Sequence, residues 1–373
     1  CLFPPQGAKA VKQAFGAICA LWGGIPSLTS RRLLPNKAPQ RLHGPFIFIS
    51  MALTHDYPFD PAYGHDLQAL KAVAPEAPFP GFQAFWEETY RLAREIPLDF
   101  QCKPSETTAP GYQVYDVSYN SWEGRRIGGW LVVPTEKTPR AAIVTGHGYG
   151  HVTSIAGFEK NPFPAIRLYF CARGFGRSAA DDLPNTAAFH VIHNIEDRER
   201  YIIRGCVADV WASVTALLAF APEFADRLYY YGSSFGGGLG ALALPWDARV
   251  KRAYLGVPTF GNHPFRVSVE CRGSGEAVRQ KYLRQPEILE VLKYYDAAIG
   301  ASYLTIPTLV HCAEFDPAVP PPGQFAVYNA IPGPKELFVT PAGHFDYPGM
   351  ATVEAAREER VTAWFSQDIP PAP

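Results

Sequence analysis

The sequence predicts an α/β fold with a mostly parallel central sheet, helices on both faces and an antiparallel start. Two observations lead to this prediction. Apolar runs of five to seven residues alternate with helical stretches in the later part of the chain, as in a parallel sheet covered by helices. Ahead of them, two runs of alternating apolar and polar residues are joined by a short turn, as in an antiparallel hairpin.

The elements before the parallel strands are a helix and this hairpin. A helix is predicted over residues 81–96, because aromatic side chains recur there near helical spacing. Residues 112–120 and 127–134 show the period-two pattern of half-buried strands, and the turn lies near Glu123 and Gly124. The hairpin therefore forms the antiparallel start of the sheet.

Six apolar runs are the predicted strands of the parallel part: 141–146, 165–170, 227–232, 250–256, 307–313 and 336–340. The predicted helices that cover them are 204–220, 235–244, 322–330 and 351–366. The segment 258–295 lies between two of these strands, and we expect it to be an insertion over the active site.

The domain organisation is predicted to be simple. Residues 1–50 lack sustained periodicity and contain no methionine. We expect them to be a leader or a non-native extension that is poorly ordered, with Met51 as a candidate start. Residues 51–373 are long enough to bury a large core and are predicted to form a single catalytic domain.

Charge and cysteine content limit the partners. The 34 basic and 35 acidic residues nearly cancel, so no strong field attracts nucleic acid or an anionic membrane. We therefore expect a small-molecule substrate, and neither a nucleic-acid nor a membrane partner. The seven cysteines show no C-x-x-C spacing, and we expect no metal and no cofactor.

The strongest functional signal is a G-x-S-x-G motif at residues 232–236, between an apolar strand and a helix rich in small residues. A sharp turn from strand to helix exposes the serine hydroxyl, and glycines on either side allow the close backbone approach that such a turn needs. The motif in this setting predicts an α/β-hydrolase fold with Ser234 as the nucleophile.

A serine nucleophile needs a base, and the base needs a carboxylate that orients it. In this fold the acid and the histidine follow the serine in that order, each after a strand. Asp316 follows the strand 307–313 and His344 follows the strand 336–340. The sequence therefore predicts Ser234, Asp316 and His344 as the catalytic residues.

Other residues near these loops remain alternatives. Glu314 could replace Asp316 as the acid, and Asp346 is a second carboxylate near the histidine; Asp316 is favoured because it lies in the loop, before a proline, rather than at the strand end. Elsewhere, His190 lies in a loop without a matching ligand set, and His311 is expected to be a core residue.

Acyl transfer also needs hydrogen-bond donors aimed at the oxyanion. The first expected donor is the backbone N–H of Phe235, which follows the nucleophile. The second is expected in the Gly-rich loop 146–150, where we choose the N–H of Tyr149. His151, next to this loop, is a candidate substrate contact.

Several ordered segments resemble the acetyl xylan esterase and cephalosporin C deacetylase family, carbohydrate esterase family 7. The resemblance runs from about residue 58 to residue 364. The matching segments are 145–150 for its H-G-Y, 172–176 for its R-G-Q-G, 201–209 for its Y-Y-Y-R-G-x-x-x-D, 232–238 for its G-x-S-Q-G-G, and the loops around the acid and the base.

This resemblance implies the same triad and the same two oxyanion amides, Tyr149 and Phe235. It also implies removal of small acyl groups, chiefly acetyl, from sugars and related alcohols, without a metal. A cytoplasmic location and a homo-oligomer, commonly a hexamer, are further implications of the resemblance.

Three residues depart from the family pattern. Phe175 and Phe235 stand where the family has glutamines, and Phe345 stands where it has a glutamate after the base. We expect Phe175 and Phe345 to contact the substrate and to favour more apolar esters. A broader-specificity esterase for short-chain esters is therefore one alternative function. A peptidase-like serine hydrolase is another, because such peptidases carry the same order of serine, acid and histidine.

Two charged residues of the matched segments, Arg173 and Asp209, are interpreted as structural. Arg173 is expected to brace the loops. For Asp209 the expected partner is Arg204 or another basic residue nearby.

Overall fold

The computed structural model describes residues 53–149, 155 and 163–367. Its nine strands are β1 (Gln101–Pro104), β2 (Tyr112–Asn120), β3 (Arg126–Pro134), β4 (Ala141–Gly146), β5 (Ala165–Phe170), β6 (Leu228–Ser233), β7 (Arg252–Gly256), β8 (Thr308–Ala313) and β9 (Lys335–Thr340). They form one sheet in the order β1-β2-β3-β5-β4-β6-β7-β8-β9.

The sheet is antiparallel at one end and parallel elsewhere. The pairs β1 with β2, β2 with β3, and β3 with β5 are antiparallel, and the remaining pairs from β5 to β9 are parallel. The predicted architecture is confirmed, and no predicted strand bound is wrong by more than two residues. Only β1 lacks a prediction, because this exposed edge strand, Gln101–Pro104, has no apolar alternation.

The helices of the described residues are α1 (Leu67–Lys71), α2 (Pro80–Arg94), α3 (Ala187–His190), α4 (Ile202–Phe220), α5 (Phe235–Ala243), α6 (His263–Ser268), α7 (Ser274–Arg284), α8 (Ile288–Leu292), α9 (Ala297–Ala301), α10 (Pro321–Ala330) and α11 (Met350–Ser366). The predicted insertion 258–295 contains α6, α7 and α8. Helix α4 is long and apolar enough to cross a membrane, but most of it is buried within the protein.

Both faces of the sheet are covered, because consecutive strand residues point to opposite faces. In β4, Ala142 and Val144 belong to the larger core cluster, which includes residues of α2, α4, α5, α9 and α10. Ala141 and Ile143 belong to the second cluster, where α11 packs through Val361, Trp364 and Phe365. The layers place the carboxyl ends of β4, β6, β8 and β9 along one edge of the sheet.

The predicted division of the chain at residue 50 stays a prediction, since residues 1–50 lie outside the described part.

Candidate active site

Ser234 occupies a strained turn between β6 and α5. Its backbone has φ 54° and ψ −112°, a conformation that side-chain-bearing residues rarely adopt. The Ser234 N–H donates to the Gly256 carbonyl at 2.8 Å. A Cβ at position 236 would lie 2.7 Å from the carbonyl carbon of Gly146, so only glycine permits this approach of α5 to β4. The G-x-S-x-G motif thus forms the expected elbow.

The three residues predicted as a triad are within hydrogen-bonding distance of one another. His344 Nε2 lies 3.0 Å from Ser234 Oγ, and His344 Nδ1 lies 2.8 Å from Asp316 Oδ2. The carboxylate on Nδ1 is therefore that of Asp316, and Glu314 is not its replacement. Asp316 is fully buried, whereas the His344 side chain is 31% exposed.

Four donors hold the Asp316 carboxylate, and one of them is His344. The N–H groups of Ala318 and Val319 both donate to Oδ1 at 2.9 Å, and Gln324 Nε2 donates to Oδ2 at 3.0 Å beside the histidine. Gln324 is fully buried on α10, and its Oε1 accepts the Ala313 N–H at 2.9 Å. These bonds provide partners for the buried carboxylate oxygens and fix their orientation. No sequence motif indicated Gln324, which lies eight residues beyond Asp316 on the following helix.

The electrostatics of the site favour a basic histidine. Burial disfavours the charged imidazolium, but the charge and hydrogen bond of Asp316 outweigh it and raise the pKa of His344. Because the carboxylate accepts from Nδ1, Nδ1 carries the proton in the neutral ring. Nε2 is then free to accept the proton of Ser234 Oγ.

The loop that carries His344 is shaped by Gly343. A Cβ at position 343 would lie 2.5 Å from Asp316 Oδ2, so a side chain there would displace the acid. The Gly343 N–H donates to the Phe315 carbonyl at 2.8 Å, and His344 itself has φ 48°. Glycine at position 343 is therefore a steric requirement of this loop.

A chain of buried hydrogen bonds supports the same loop from behind. Arg357 Nη1 donates to the Tyr254 hydroxyl at 3.0 Å, which lies 3.2 Å from His311 Nδ1. His311 Nε2 lies 2.9 Å from Thr340 Oγ1, and this hydroxyl donates to the Ala342 carbonyl at 3.1 Å. The Thr340 hydroxyl donates its proton to the Ala342 carbonyl, so it accepts a hydrogen bond from His311 Nε2. His311 Nδ1 then accepts from the Tyr254 hydroxyl. Burial and the Arg357 charge hold the pKa of His311 well below its usual value.

The loop after β4 passes next to the nucleophile. The Gly236 N–H donates to the His147 carbonyl at 2.8 Å, and a Cβ at position 148 would lie 3.6 Å from the Cβ of Ser234. His147 Nε2 accepts the Ala172 N–H at 3.0 Å, so the ring proton is on Nδ1, which donates to the Gly148 carbonyl at 2.9 Å. His147 therefore fixes this loop to the end of β5.

Tyr149 is held by a residue that the sequence did not single out. The Tyr149 hydroxyl lies 3.2 Å from His190 Nδ1, and His190 Nε2 donates to the Arg173 carbonyl at 3.0 Å. His190 therefore accepts from Tyr149, and burial lowers the pKa of His190 to about 4. The Tyr149 ring stacks on Phe235, with centroids 4.0 Å apart.

The structure corrects the expectation that Phe175 contacts the substrate, and it buries the ring of Phe235 as well. Phe175 is 4% exposed and Phe235 is 0% exposed. Phe175 packs on His190 with a centroid distance of 4.5 Å, and Phe235 packs between Tyr149 and Phe260. Their apolar rings are more stable against each other than in water, so they support the loop and present little surface to a substrate.

Phe345 is only half-buried and lies at the rim of the site. Its ring contacts Phe315, at 5.0 Å between centroids, and Tyr57, at 6.1 Å. Tyr57 belongs to the segment 53–65, and within it the Pro61 carbonyl accepts the Asp316 N–H at 3.0 Å. This segment borders the triad, although nothing in its sequence predicted that position. His151, the other candidate contact, lies outside the described residues.

The buried partner of Asp209 is Arg173 and not Arg204. Arg173 Nη2 lies 2.8 Å from Asp209 Oδ1, and its Nε and backbone N–H both donate to Oδ2 at 3.1 Å. Arg204 instead pairs with Glu199 at 2.5 Å. Gly205 leaves room for the Arg173 guanidinium, which a Cβ would overlap. The structural role expected for Arg173 and Asp209 agrees with this geometry.

The family and the relatives agree with this architecture. The acetyl xylan esterase family model matches residues 64–367. Acetyl esterase Axe7A of Xylanibacter ruminicola is 23% identical over 273 residues, which cover 70% of this chain and 62% of that protein. The match thus spans less than two thirds of the relative's length.

Solved structures show the same fold. An acetyl xylan esterase from Paenibacillus sp. R4 has a TM-score of 0.67 and 24% identity, over 79% of this chain and 99% of that one. Acetyl xylan esterase 1 from Thermoanaerobacterium sp. JW/SL YS485 has a TM-score of 0.68 and 22% identity, over 82% and 98%. These likenesses establish the α/β-hydrolase fold. The match of the family model over residues 64–367 shows that the chain belongs to the acetyl xylan esterase family, a family of carboxylic ester hydrolases.

Proposed function

We propose that this protein is a serine carboxylesterase that removes acetyl groups from acetylated sugars or related esters, with Ser234, His344 and Asp316 as its catalytic triad. The observation that carries the proposal is the alignment at the elbow. Ser234 Oγ lies 3.0 Å from His344 Nε2, and Asp316 holds the opposite ring nitrogen at 2.8 Å. Nucleophile, base and orienting acid are then in contact in the order that acyl transfer requires.

The acylation step follows from these contacts. His344 Nε2 accepts the Ser234 proton as Oγ attacks the ester carbonyl carbon, and the carbonyl oxygen gains the negative charge. When the carbon–oxygen bond to the alcohol breaks, the imidazolium returns the proton to the leaving alkoxide. Asp316 stabilises the imidazolium in between and keeps the ring in place.

The oxyanion donors are assigned to Phe235 and Tyr149. The Phe235 N–H is the first of helix α5, and N–H groups in the first turn of a helix have no acceptor within it. The positive end of the helix dipole also favours a negative oxygen there. The Tyr149 N–H belongs to the loop beside Ser234, and the stacking of Tyr149 on Phe235 holds the two residues together.

Deacylation repeats the sequence with water. His344 takes a proton from a water molecule, the hydroxide attacks the acetyl carbonyl of the acyl-enzyme, and Ser234 Oγ recovers the proton as acetate leaves. Each half of the reaction starts from neutral His344, so activity depends on the pKa of this residue.

A broader-specificity esterase is the second candidate. The half-buried ring of Phe345, directly after His344, favours it because an apolar surface at the rim would retain apolar esters. The buried positions of Phe175 and Phe235 remove two of the three reasons for expecting such a change. The predicted hexamer and cytoplasmic location stay predictions.

Hydrolysis of p-nitrophenyl esters from acetate to octanoate, alongside acetylated xylose and cephalosporin C, separates the two candidates. We expect kcat/KM to be highest for acetate and the acetylated sugar to be cleaved. A preference for octanoate together with resistance of acetylated xylose would replace the deacetylase by the broader esterase.

A further inference from the structure

Four aromatic rings form a row in the segment 55–63. The centroids of His55 and Tyr57 are 5.5 Å apart at 26°, and those of Tyr57 and Phe59 are 5.6 Å apart at 19°. Tyr63 continues the row 6.1 Å beyond Phe59, at 21°. We call these four side chains the aromatic row. His55 is exposed and the others are half-buried, so part of each remains accessible.

The aromatic row borders an open pocket of about 450 Å³. The opposite wall belongs to the insertion that contains α6 and α7. The residues around the pocket that matter here are Tyr57 and Phe59 of the row, Asp56 beside them, and Glu270, Arg272 and Glu276 of the insertion. Aromatic and charged groups therefore face the same space.

The charged groups around the pocket provide no excess of positive charge that would attract an anion. The three carboxylates are balanced in part by Arg272, whose guanidinium lies 5.4 Å from the Tyr57 ring centroid, and by Arg279, which pairs with Glu276 at 2.9 Å. Any negatively charged ligand would meet more carboxylates than guanidinium groups. A purely apolar acyl chain would have to displace water from these charges without replacing its hydrogen bonds.

A neutral polyol fits both kinds of group. The faces of sugar rings carry C–H bonds that pack on aromatic rings, whose faces are electron-rich. Sugar hydroxyls can donate to carboxylates and accept from a guanidinium, and such charge-assisted hydrogen bonds are among the stronger ones. The pocket offers these partners side by side.

The pocket also contacts both loops that carry the triad. The Arg272 N–H donates at 2.7 Å to the carbonyl of Pro317, the residue after Asp316. The Tyr57 ring lies 6.1 Å from the ring of Phe345, the residue after His344. An ester bound at Ser234 can therefore extend its alcohol part past Phe345 towards the aromatic row.

We infer that the pocket between the aromatic row and the insertion is a subsite for the sugar part of the substrate, remote from the acetyl group. This inference rests on the proposed deacetylase function. It assigns Tyr57 and Phe59 to substrate binding, in addition to the residues at the reacting centre.

The test compares Tyr57→Ala and Phe59→Ala with Phe189→Ala, which removes an aromatic ring that is 68% exposed on α3. The substrates are acetylated xylotriose and p-nitrophenyl acetate. Loss of one ring contact should lower the ratio of kcat/KM for the trisaccharide to that for the aryl ester by about 5- to 10-fold, mainly through KM. Phe189→Ala should leave this ratio unchanged.

Tyr57→Ala could change the ratio by disturbing Phe345 beside His344, because Tyr57 contacts that ring. Phe59→Ala avoids this indirect effect, because Phe59 contacts Tyr57 and Tyr63. An unchanged ratio in Phe59→Ala, in an enzyme that cleaves acetylated xylotriose, would overturn the subsite and leave the proposed function intact.

Calorimetric binding of acetylated xylotriose to Ser234→Ala separates the remaining outcomes. If the wild type does not cleave the trisaccharide but Ser234→Ala binds it, and Phe59→Ala in that background weakens binding, the deacetylase function is wrong and the pocket stands. Absence of binding, or binding that Phe59→Ala leaves unchanged, would refute the subsite.

Discussion

The Oδ2 atom of Asp316 accepts a hydrogen bond from Nδ1 of His344 at 2.8 Å, while the neighbouring candidate Glu314 does not take this place. The difference follows from the backbone. Glu314 directly follows β8, and its N–H donates to Thr340 at 3.0 Å, whereas Asp316 lies further into the loop with its carboxylate turned inward.

Asp316→Asn should retain the fold and lose most of the activity. An amide can donate to Nδ1 and so favour the ring tautomer with the proton on Nε2, which cannot accept from Ser234. We expect kcat to fall by about 10⁴-fold, measured with p-nitrophenyl acetate. Glu314→Gln is the matched control and should leave kcat nearly unchanged, because Asp316 and not the half-buried Glu314 lies on His344 Nδ1. An equal loss in both variants would contradict the assignment of the acid.

The pH dependence of kcat/KM should report the pKa of His344. The base must be neutral, so activity falls as the pH drops through the pKa of His344, which Asp316 raises above its usual value. In the wild type, the midpoint of this fall in kcat/KM should therefore lie above about pH 6.5. In Asp316→Asn, burial still lowers the pKa of His344 but no carboxylate raises it. The residual activity should therefore fall at a lower pH than the activity of the wild type. A fall at the same pH in both proteins would show that Asp316 does not set this pKa.

Thr340→Val should destabilise the protein and disturb the loop of His344. Valine keeps the shape of threonine but leaves the His311 Nε2 proton and the Ala342 carbonyl without partners. Each unpaired buried group costs about 1–3 kcal/mol, which urea unfolding would detect. Thr340→Ser keeps the hydroxyl and should recover most of this loss. If serine and valine destabilise equally, the hydrogen-bond chain does not support the loop.

Tyr149→Phe separates the backbone of Tyr149 from its hydroxyl. The hydroxyl donates to His190, so the oxyanion donor assigned here is the N–H, which phenylalanine retains. We expect kcat to fall by less than about tenfold, since only one neutral hydrogen bond is lost. A loss of about 10²–10³-fold is typical for removal of an oxyanion donor. Such a loss would show that the hydroxyl, and not the N–H, donates to the oxyanion.

Local patterns predicted the elements well, and they indicated three residues that the fold brings into contact, because the relevant signals are short. Ser234 and Asp316 follow buried strands and His344 follows a half-buried one, and apolar runs of this kind indicate both the strand and the start of its loop. The close match of predicted and observed strand bounds has the same origin.

Contacts between distant segments could not be predicted in this way. Pro61 reaches Asp316 across more than half of the chain, and His190 reaches Tyr149 from the end of the short helix α3. Neither residue has a motif, because a proline carbonyl and a neutral histidine hold their partners through generic hydrogen bonds. The expectation that Phe175 contacts the substrate was wrong for a related reason: its place in the motif says nothing about the ring of His190 that packs on it.

The most direct test of the mechanism is to map where a fluorophosphonate, a covalent inhibitor of serine hydrolases, attaches. The wild type and Ser233→Ala, which alters the neighbouring serine, should each gain one phosphonate on Ser234 by mass spectrometry of the digested protein. Ser234→Ala should gain none and lose at least about 10⁴-fold in kcat. Labelling of Ser234→Ala with retained esterase activity would show that another residue is the nucleophile.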